Sequence, residues 1–367
     1  MSNATGNFSW EIDFTKGGPF LKIIWLSSRY FGSDLSSTTQ LQLANGLVKR
    51  GHSVDVYSPG KCSGIEFTHH EIKRSSIRGI QSRSIVKQME KLADDFNLAD
   101  VALVDWTLFS IAKKLTIPVI LIDRSPPADR GLLANLQWLS WKKAWKYAKK
   151  GTVVSKAHEE FVDRALKVHS KTMKIIPAGV DLDSFQPADR SGPIKLVYHG
   201  RVDVNRGVMS LPMILAGLHS RGIDATLHIH GAGDAVDRLR NIELEGLVIT
   251  DSIDHDIIAS KLSTYDVGLL PMPGTKVWSL ASPLKRSEYL ASGMVVCGID
   301  HTGHQIEDSG DWLQLFTQRE FITSTVDWIA NLDRSKLQSL QKQSRDYAEE
   351  NLSWSHSVDA LESMILS

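Results

Sequence analysis

Short apolar runs alternate with stretches of helical spacing along most of this chain, and the series occurs twice, before and after a Pro- and Gly-containing segment at residues 186–193. The first series has apolar runs at 20–27, 54–57, 101–104, 119–123, 152–154 and 174–176. The second has them at 195–199, 226–230, 247–250, 267–270 and 295–298. Helical spacing between the runs is clear at 38–50, where Leu41, Leu43, Ala44, Leu47 and Val48 share a face before Gly51. Continuous apolar strands separated by helices require a parallel sheet covered on both sides, because each strand must be buried on both faces. A chain of 367 residues is long enough for two such units, each with its own core. We therefore expect an α/β protein of two doubly wound domains, with residues 186–193 as the boundary. Neither first strand-to-helix turn carries G-x-G-x-x-G, which argues against a dinucleotide oxidoreductase.

Charge divides along the same boundary. Residues 1–187 hold 26 Lys and Arg against 18 Asp and Glu, a balance of +8, and residues 188–367 hold 16 against 24, a balance of −8. A basic first half suits an anionic partner such as a membrane surface, a lipid phosphate or a nucleic acid. No apolar run is long enough to span a bilayer, and residues 1–16 are too polar for a signal peptide. Cys62 and Cys297 fall in different halves, which favours free thiols and a cytoplasmic location.

Residues 282–293, Ser-Pro-Leu-Lys-Arg-Ser-Glu-Tyr-Leu-Ala-Ser-Gly, read as a helix whose amino terminus can hold phosphate. Ser282 suits an N-cap, Pro283 the first helical position and Gly293 the stop, leaving the amides of Ser282, Leu284 and Lys285 to face an anion. Glu288 lies about one and a half turns on, where a carboxylate can accept from two ribose hydroxyls. Upstream, the apolar run 194–200 ends in glycine and is followed by Arg201 and Arg206, whose guanidinium groups can grip a diphosphate through paired hydrogen bonds.

With these elements in order, the chain resembles the retaining glycosyltransferases of family 4, of the GT-B fold. The resemblance rests on Gly51-His52-Ser53-Val54, Val154-Ser155, the junction 176–185, Gly200-Arg201 with Arg206, Gly231-Ala232-Gly233, and Ser282-Pro283-Leu284-Lys285 through Glu288. It implies two Rossmann-like domains facing a cleft: an acceptor-side domain at 18–187, a nucleotide-sugar domain at 188–350, and a last helix at 351–367 crossing back to the first. It implies transfer of a sugar, of hexosyl type, from a nucleotide-diphosphate donor to a hydroxyl acceptor, a glycan or a lipid-linked one, with retention of configuration. Arg201, Arg206 and residues Ser282, Pro283 and Leu284 would hold the diphosphate, the two arginines also serving catalysis, and Glu288 the ribose. Neither a metal ion nor a further cofactor is expected, and no nucleic-acid partner.

The chain departs from the family pattern in places. Its first loop has one glycine, Gly32, followed by Ser33, as candidate sugar or acceptor contacts. Asp123 and Arg124 stand where many members have a sugar-contacting histidine, and Leu280 stands where an acid is frequent. The usual diphosphate lysine is Arg206. Two rival readings share the fold: a nucleotide-sugar epimerase, which would need acids and bases around the sugar, and an inactive binding scaffold. Finally, Trp138, Trp141 and Trp145 recur at helical spacing among Lys142, Lys143, Lys146, Lys149 and Lys150. The stripe suits either a membrane interface, with the indoles at headgroup level, or a core face with solvated lysines. The +8 balance favours the membrane, which would make the protein peripheral on its inner face.

Overall fold

A computed structural model describes residues 20–31, 37–77, 79–127, 132–166 and 172–367. Two wholly parallel sheets are present. The first contains β1 (Lys22–Leu26), β2 (Ser53–Pro59), β3 (Thr68–Ile72), β4 (Val101–Asp105), β5 (Val119–Ile122), β6 (Lys150–Val153) and β7 (Thr172–Ile175), ordered β3-β2-β1-β4-β5-β6-β7. The second contains β8 (Ile194–His199), β9 (Ala225–His230), β10 (Leu247–Thr250), β11 (Val267–Leu270), β12 (Val295–Ile299) and β13 (Leu313–Phe316), ordered β10-β9-β8-β11-β12-β13. Each order reverses once, between β1 and β4 and between β8 and β11, which is the doubly wound arrangement that opens a ligand crevice at the carboxyl ends of the strands.

The period-2 pattern explains the layering. In β1, Ile23 and Trp25 join the helix Ser37–Lys49 on one face, and Ile24 and Leu26 join the opposite core with Trp141 and Trp145. The second sheet has a separate core built on Leu196, Leu227, Val267, Val295 and Leu313. The last helix, Trp354–Leu366, lies on the first domain: Val358, Leu361 and Met364 pack with Leu43 and Leu47, and Arg50 pairs with Asp359 and Glu362.

The helix Leu132–Tyr147 corrects one expectation. Trp141 and Trp145 are fully buried, and both indole N–H groups donate to the same Asp123 carboxylate oxygen, at 2.5 and 2.7 Å. Trp138 is half-buried against Phe161. Trp141 and Trp145 are thus on the core side of this helix and are not available to a membrane surface, whereas Lys142, Lys143, Lys146 and Lys149 are exposed and Lys150 is half-buried. An indole is large and apolar apart from one donor, so a buried acceptor turns it inward.

The same contacts correct the reading of Asp123 as a sugar ligand. Its carboxylate is fully buried, and His158 Nε2 stands 3.4 Å away. Burial alone would raise its pKa, but His158 and the two indoles hold it below the usual carboxylate range. Asp123→Ala would leave two buried N–H donors without an acceptor. It should lower unfolding free energy by about 3–5 kcal/mol, whereas Lys142→Gln on the exposed side should stay within about 0.5 kcal/mol. Urea unfolding of both variants measures the contrast, and equal stability would remove Asp123 as an organising group.

Candidate active site

The second domain builds its part of the site at the switch point between β8 and β11. Gly200 follows β8 with φ of 107°, and Gly231 follows β9 with φ of 153°. A Cβ on Gly231 would collide with the Gly200 carbonyl oxygen, so the two loops cross in backbone contact that only glycine permits. Gly200 N donates to His230 O at 2.8 Å, and Tyr198 Oη to Arg201 O at 2.6 Å. This crossing fixes where the chain leaves the sheet and aims residues 201–206 over its edge.

Arg206 is mostly covered, with its guanidinium 5.7 Å from the Trp278 ring centroid and 3.8 Å from Asp203. Arg201 is more than half exposed and forms two hydrogen bonds to Asp203, of 2.9 and 3.2 Å. Burial would raise the Asp203 carboxyl, but the Arg201 bond, the Asp234 amide and both guanidinium charges outweigh it and hold it low. Asp203 thus braces one arginine directly and the other at longer range.

A third cation was missed in the sequence reading, which used only the backbone amide of Lys285. Lys285 Nζ lies 5.4 Å from the Tyr198 ring centroid, and a Cβ on Gly200 would approach it to 2.9 Å. Burial pushes its pKa down to about 8, Arg206 adds to the shift, and Glu288 opposes it. The signal was its position in the first turn of a helix already read as a phosphate holder. Tyr198, buried beneath it, is pushed up to about 12 by burial.

The helix spans Leu284–Ala291, one residue later than expected, with Pro283 as N-cap. Ser282 is not its cap; its Oγ accepts from the Ala178 amide at 3.1 Å, across the domain junction. The first-turn amides of Leu284 and Lys285 have no partner within the helix by its geometry, so the phosphate-facing end is retained. Glu288 is buried, and His199 Nε2 approaches its Oε2 at 3.0 Å. His199 ends the buried run Leu196–Tyr198, the mark by which it could have been found.

Opposite this, the carboxyl edge of the first sheet carries Arg29 after β1, Arg74 after β3, Asp105 at the end of β4 and Arg124 after β5. Asp105 is buried, accepting from Ser27 Oγ at 2.6 Å and Gln40 Nε2 at 2.7 Å; burial raises its pKa against those bonds and the Arg29 charge. Arg124 Nη1 donates to Ile176 O at 2.6 Å, and burial, with Arg29 nearby, pushes its pKa to about 10. Arg74 packs on the Tyr30 ring and donates to Ser28 O at 3.4 Å. Gly32 and Ser33 lie outside the described residues.

The two halves touch. Ser155 Oγ donates to Leu280 O at 2.8 Å, and Lys276 sits 4.5 Å from the Trp138 ring centroid and 4.7 Å from that of Phe161. Trp138 therefore serves the domain interface. Several histidines are engaged away from this edge: His230 bonds Thr250 and Tyr265, and the tilted rings of His301 and His304 lie with centroids 3.8 Å apart. Among the described residues no group of three or more His, Cys, Asp or Glu is placed to hold a metal ion.

Residues 36–184 match the family model described as Glycosyltransferase Family 4, and the resemblance read from the sequence is borne out there. No curated protein matches the chain in sequence. Among solved structures, sucrose-phosphate synthase from Thermosynechococcus elongatus superposes with a TM-score of 0.74 at 15% identity, covering 94% of this chain and 98% of that one. A glycosyltransferase from Rickettsia africae gives the same TM-score, identity and coverage. A trehalose-6-phosphate structure from E. coli, bound with UDP-2-fluoro glucose, gives 0.68 at 10% identity, covering 94% and 99%. The fold is GT-B.

The lowered Lys285 pKa would make the binding of any diphosphate at this edge pH-dependent in a defined direction. A bound diphosphate favours the charged ammonium, so binding takes up a proton once the pH exceeds about 8. Nucleoside-diphosphate affinity should hold steady from pH 6.5 to 7.5 and fall by up to about tenfold per pH unit above 8. Lys285→Met should weaken binding at pH 7 and flatten that profile. Calorimetry at several pH values reads both, and an unchanged slope in the variant would take Lys285 out of the site.

Proposed function

From a GT-B fold whose first domain matches family 4, we propose that the chain is a retaining glycosyltransferase using a nucleotide-diphosphate sugar, of hexosyl type. The observation that carries this reading is the convergence of Arg206, Lys285 and the amino terminus of the helix Leu284–Ala291 at the carboxyl end of β8. Those charges and amides suit the negative charge that builds on a leaving diphosphate, stabilisation by preset electrostatics. Arg201 adds an outer contact, and Glu288, steadied by His199, takes the ribose. No side chain is assigned as a general base; the leaving phosphate itself assists the incoming hydroxyl. The E. coli neighbour bound with UDP-2-fluoro glucose supports a nucleotide-sugar donor.

The acceptor sits over the carboxyl edge of the first sheet. Arg29, Arg74 and Arg124 there favour an acceptor with an anionic group, such as the phosphate of a lipid-linked or glycan substrate. The unpaired Cys62 and Cys297 support a reducing, cytoplasmic location. An epimerase would need an acid near the sugar, but Leu280 is buried there and offers its carbonyl to Ser155.

Arg206→Ala should lose roughly 1.5–3 kcal/mol of donor binding or transition-state stabilisation. Arg201→Ala should lose less, because that side chain is exposed and already held by Asp203. Glu288→Gln should weaken nucleoside-diphosphate affinity without altering the melting curve of the free protein. A thermal-shift panel of UDP-, GDP- and ADP-sugars followed by turnover assays tests the set. Wild-type turnover in Arg206→Ala, or no stabilisation by any nucleotide sugar, would overturn the reading.

A further inference from the structure

On the first domain, at the amino-terminal edge of its sheet, the helix Leu132–Tyr147, the segment Trp106–Lys114 and residues 115–120 enclose a cavity of about 800 Å³. That volume lies within the roughly 300–1,000 Å³ typical of small-ligand pockets. Phe109, Leu115, Ile117, Ala144 and Ile365 give it apolar walls. Lys113, Lys143, Lys149 and Lys150 also line it, and no Asp or Glu does. Lys113 sits 5.3 Å from the Tyr147 ring centroid, and Lys150 Nζ donates to Ser367 Oγ at 3.2 Å.

An apolar interior with cations around it complements an alkyl body with an anionic head. A free phosphate would leave the apolar walls unfilled, and a neutral chain would leave the lysines without a counter-charge. The mouth continues onto an exposed apolar face of the same helix. Leu136, Leu139 and Tyr147 are 61%, 56% and 63% exposed, and Ser140 and Lys143 lie on the same side by helical spacing. Lysine stems beside exposed leucine and tyrosine suit the boundary between headgroups and acyl chains.

We propose that this groove receives one acyl chain of an anionic phospholipid at a bilayer surface, with the lysines on its headgroup and Leu136, Leu139 and Tyr147 in the interfacial layer. It is lined by Val101 and residues 118–120, at the starts of β4 and β5, whereas Asp105 and Arg124 lie at their far ends. Strands of this length put roughly 15 Å between the groove and the cleft. The groove is therefore an anchor, distinct from the acceptor seat, and its use does not depend on the identity of the donor.

The test uses the full chain and three probes: dodecyl phosphate below its micelle concentration, dodecyl maltoside, and inorganic phosphate. Dodecyl phosphate should bind saturably and about tenfold or more tighter than the neutral detergent, and inorganic phosphate should not displace it. Ser140→Trp, at an exposed position on the rim, should abolish binding of both alkyl probes by filling the mouth. Changing Lys113, Lys143 and Lys149 together to Gln should reduce the anionic probe to the affinity of the neutral one. Both variants should pellet less with phosphatidylcholine vesicles containing phosphatidylglycerol, and nucleoside-diphosphate affinity should stay at wild type, separating this site from the donor site. Equal affinity for the two detergents, or undiminished binding and pelleting in Ser140→Trp, would overturn the proposal. A wild-type dimer that Ser140→Trp converts to monomer, without any alkyl binding, would assign the groove to a second copy of the chain instead.

Discussion

Parallel pairing governs this molecule. Every pairing described within its two sheets is parallel, so each connection must return across the sheet before the next strand begins. Both faces of each sheet are covered by these returns, so most of the charged groups discussed above lie at the strand ends. Loops from the carboxyl ends carry the arginines, and helices that begin beside those ends carry amides unpaired within the helix. The Gly200–Gly231 crossing is the local result on the second domain, and Arg29 and Arg124 around Asp105 are its counterpart on the first.

Buried polar groups hold the parts in register. Asp123 ends the line of β5, yet it is tied to two indoles from the helix Leu132–Tyr147 and faces His158 from the helix Lys156–Leu166. One carboxylate thereby sets the rotation of the first helix and the approach of the second. The rotation turns Trp138 toward Phe161 and Lys276, and the approach brings Ser155 to the Leu280 carbonyl. Packing inside the first domain therefore reaches the loop that precedes the helix Leu284–Ala291 of the second.

The central strands were legible in the sequence because burial on both faces makes them continuous apolar runs. β3 and β13 were not recognised. Each is an edge strand: β3 reads Thr-His-His-Glu-Ile and is largely accessible, and β13 has only four residues with a glutamine among them. An edge strand need not be apolar throughout, so its run is short or broken. Arg201, Arg206 and Glu288 could be singled out because strand, glycine and helix signals bracket them. Lys285 and His199 escaped because their positions relative to Tyr198 and Glu288 depend on how β8 and a helix some ninety residues later come together. The tryptophan stripe was misread because periodicity identifies a face without saying what covers it, and the carboxylate that draws it inward lies in a separate element.

The chain passes between its domains twice, after β7 and again before the helix Trp354–Leu366. The two passages lie side by side: Val180 N donates to Leu352 O at 2.8 Å, and Val180 bridges Ser353. Ser357 Oγ adds a bond to Pro177 O at 3.1 Å. A single tether would leave the lobes free to twist, slide and separate. Two tethers joined along their length would act as a pivot with one easy axis, so that any relative motion of the lobes would be a swing along a fixed arc and would bring the Arg206 and Lys285 edge back to the same place.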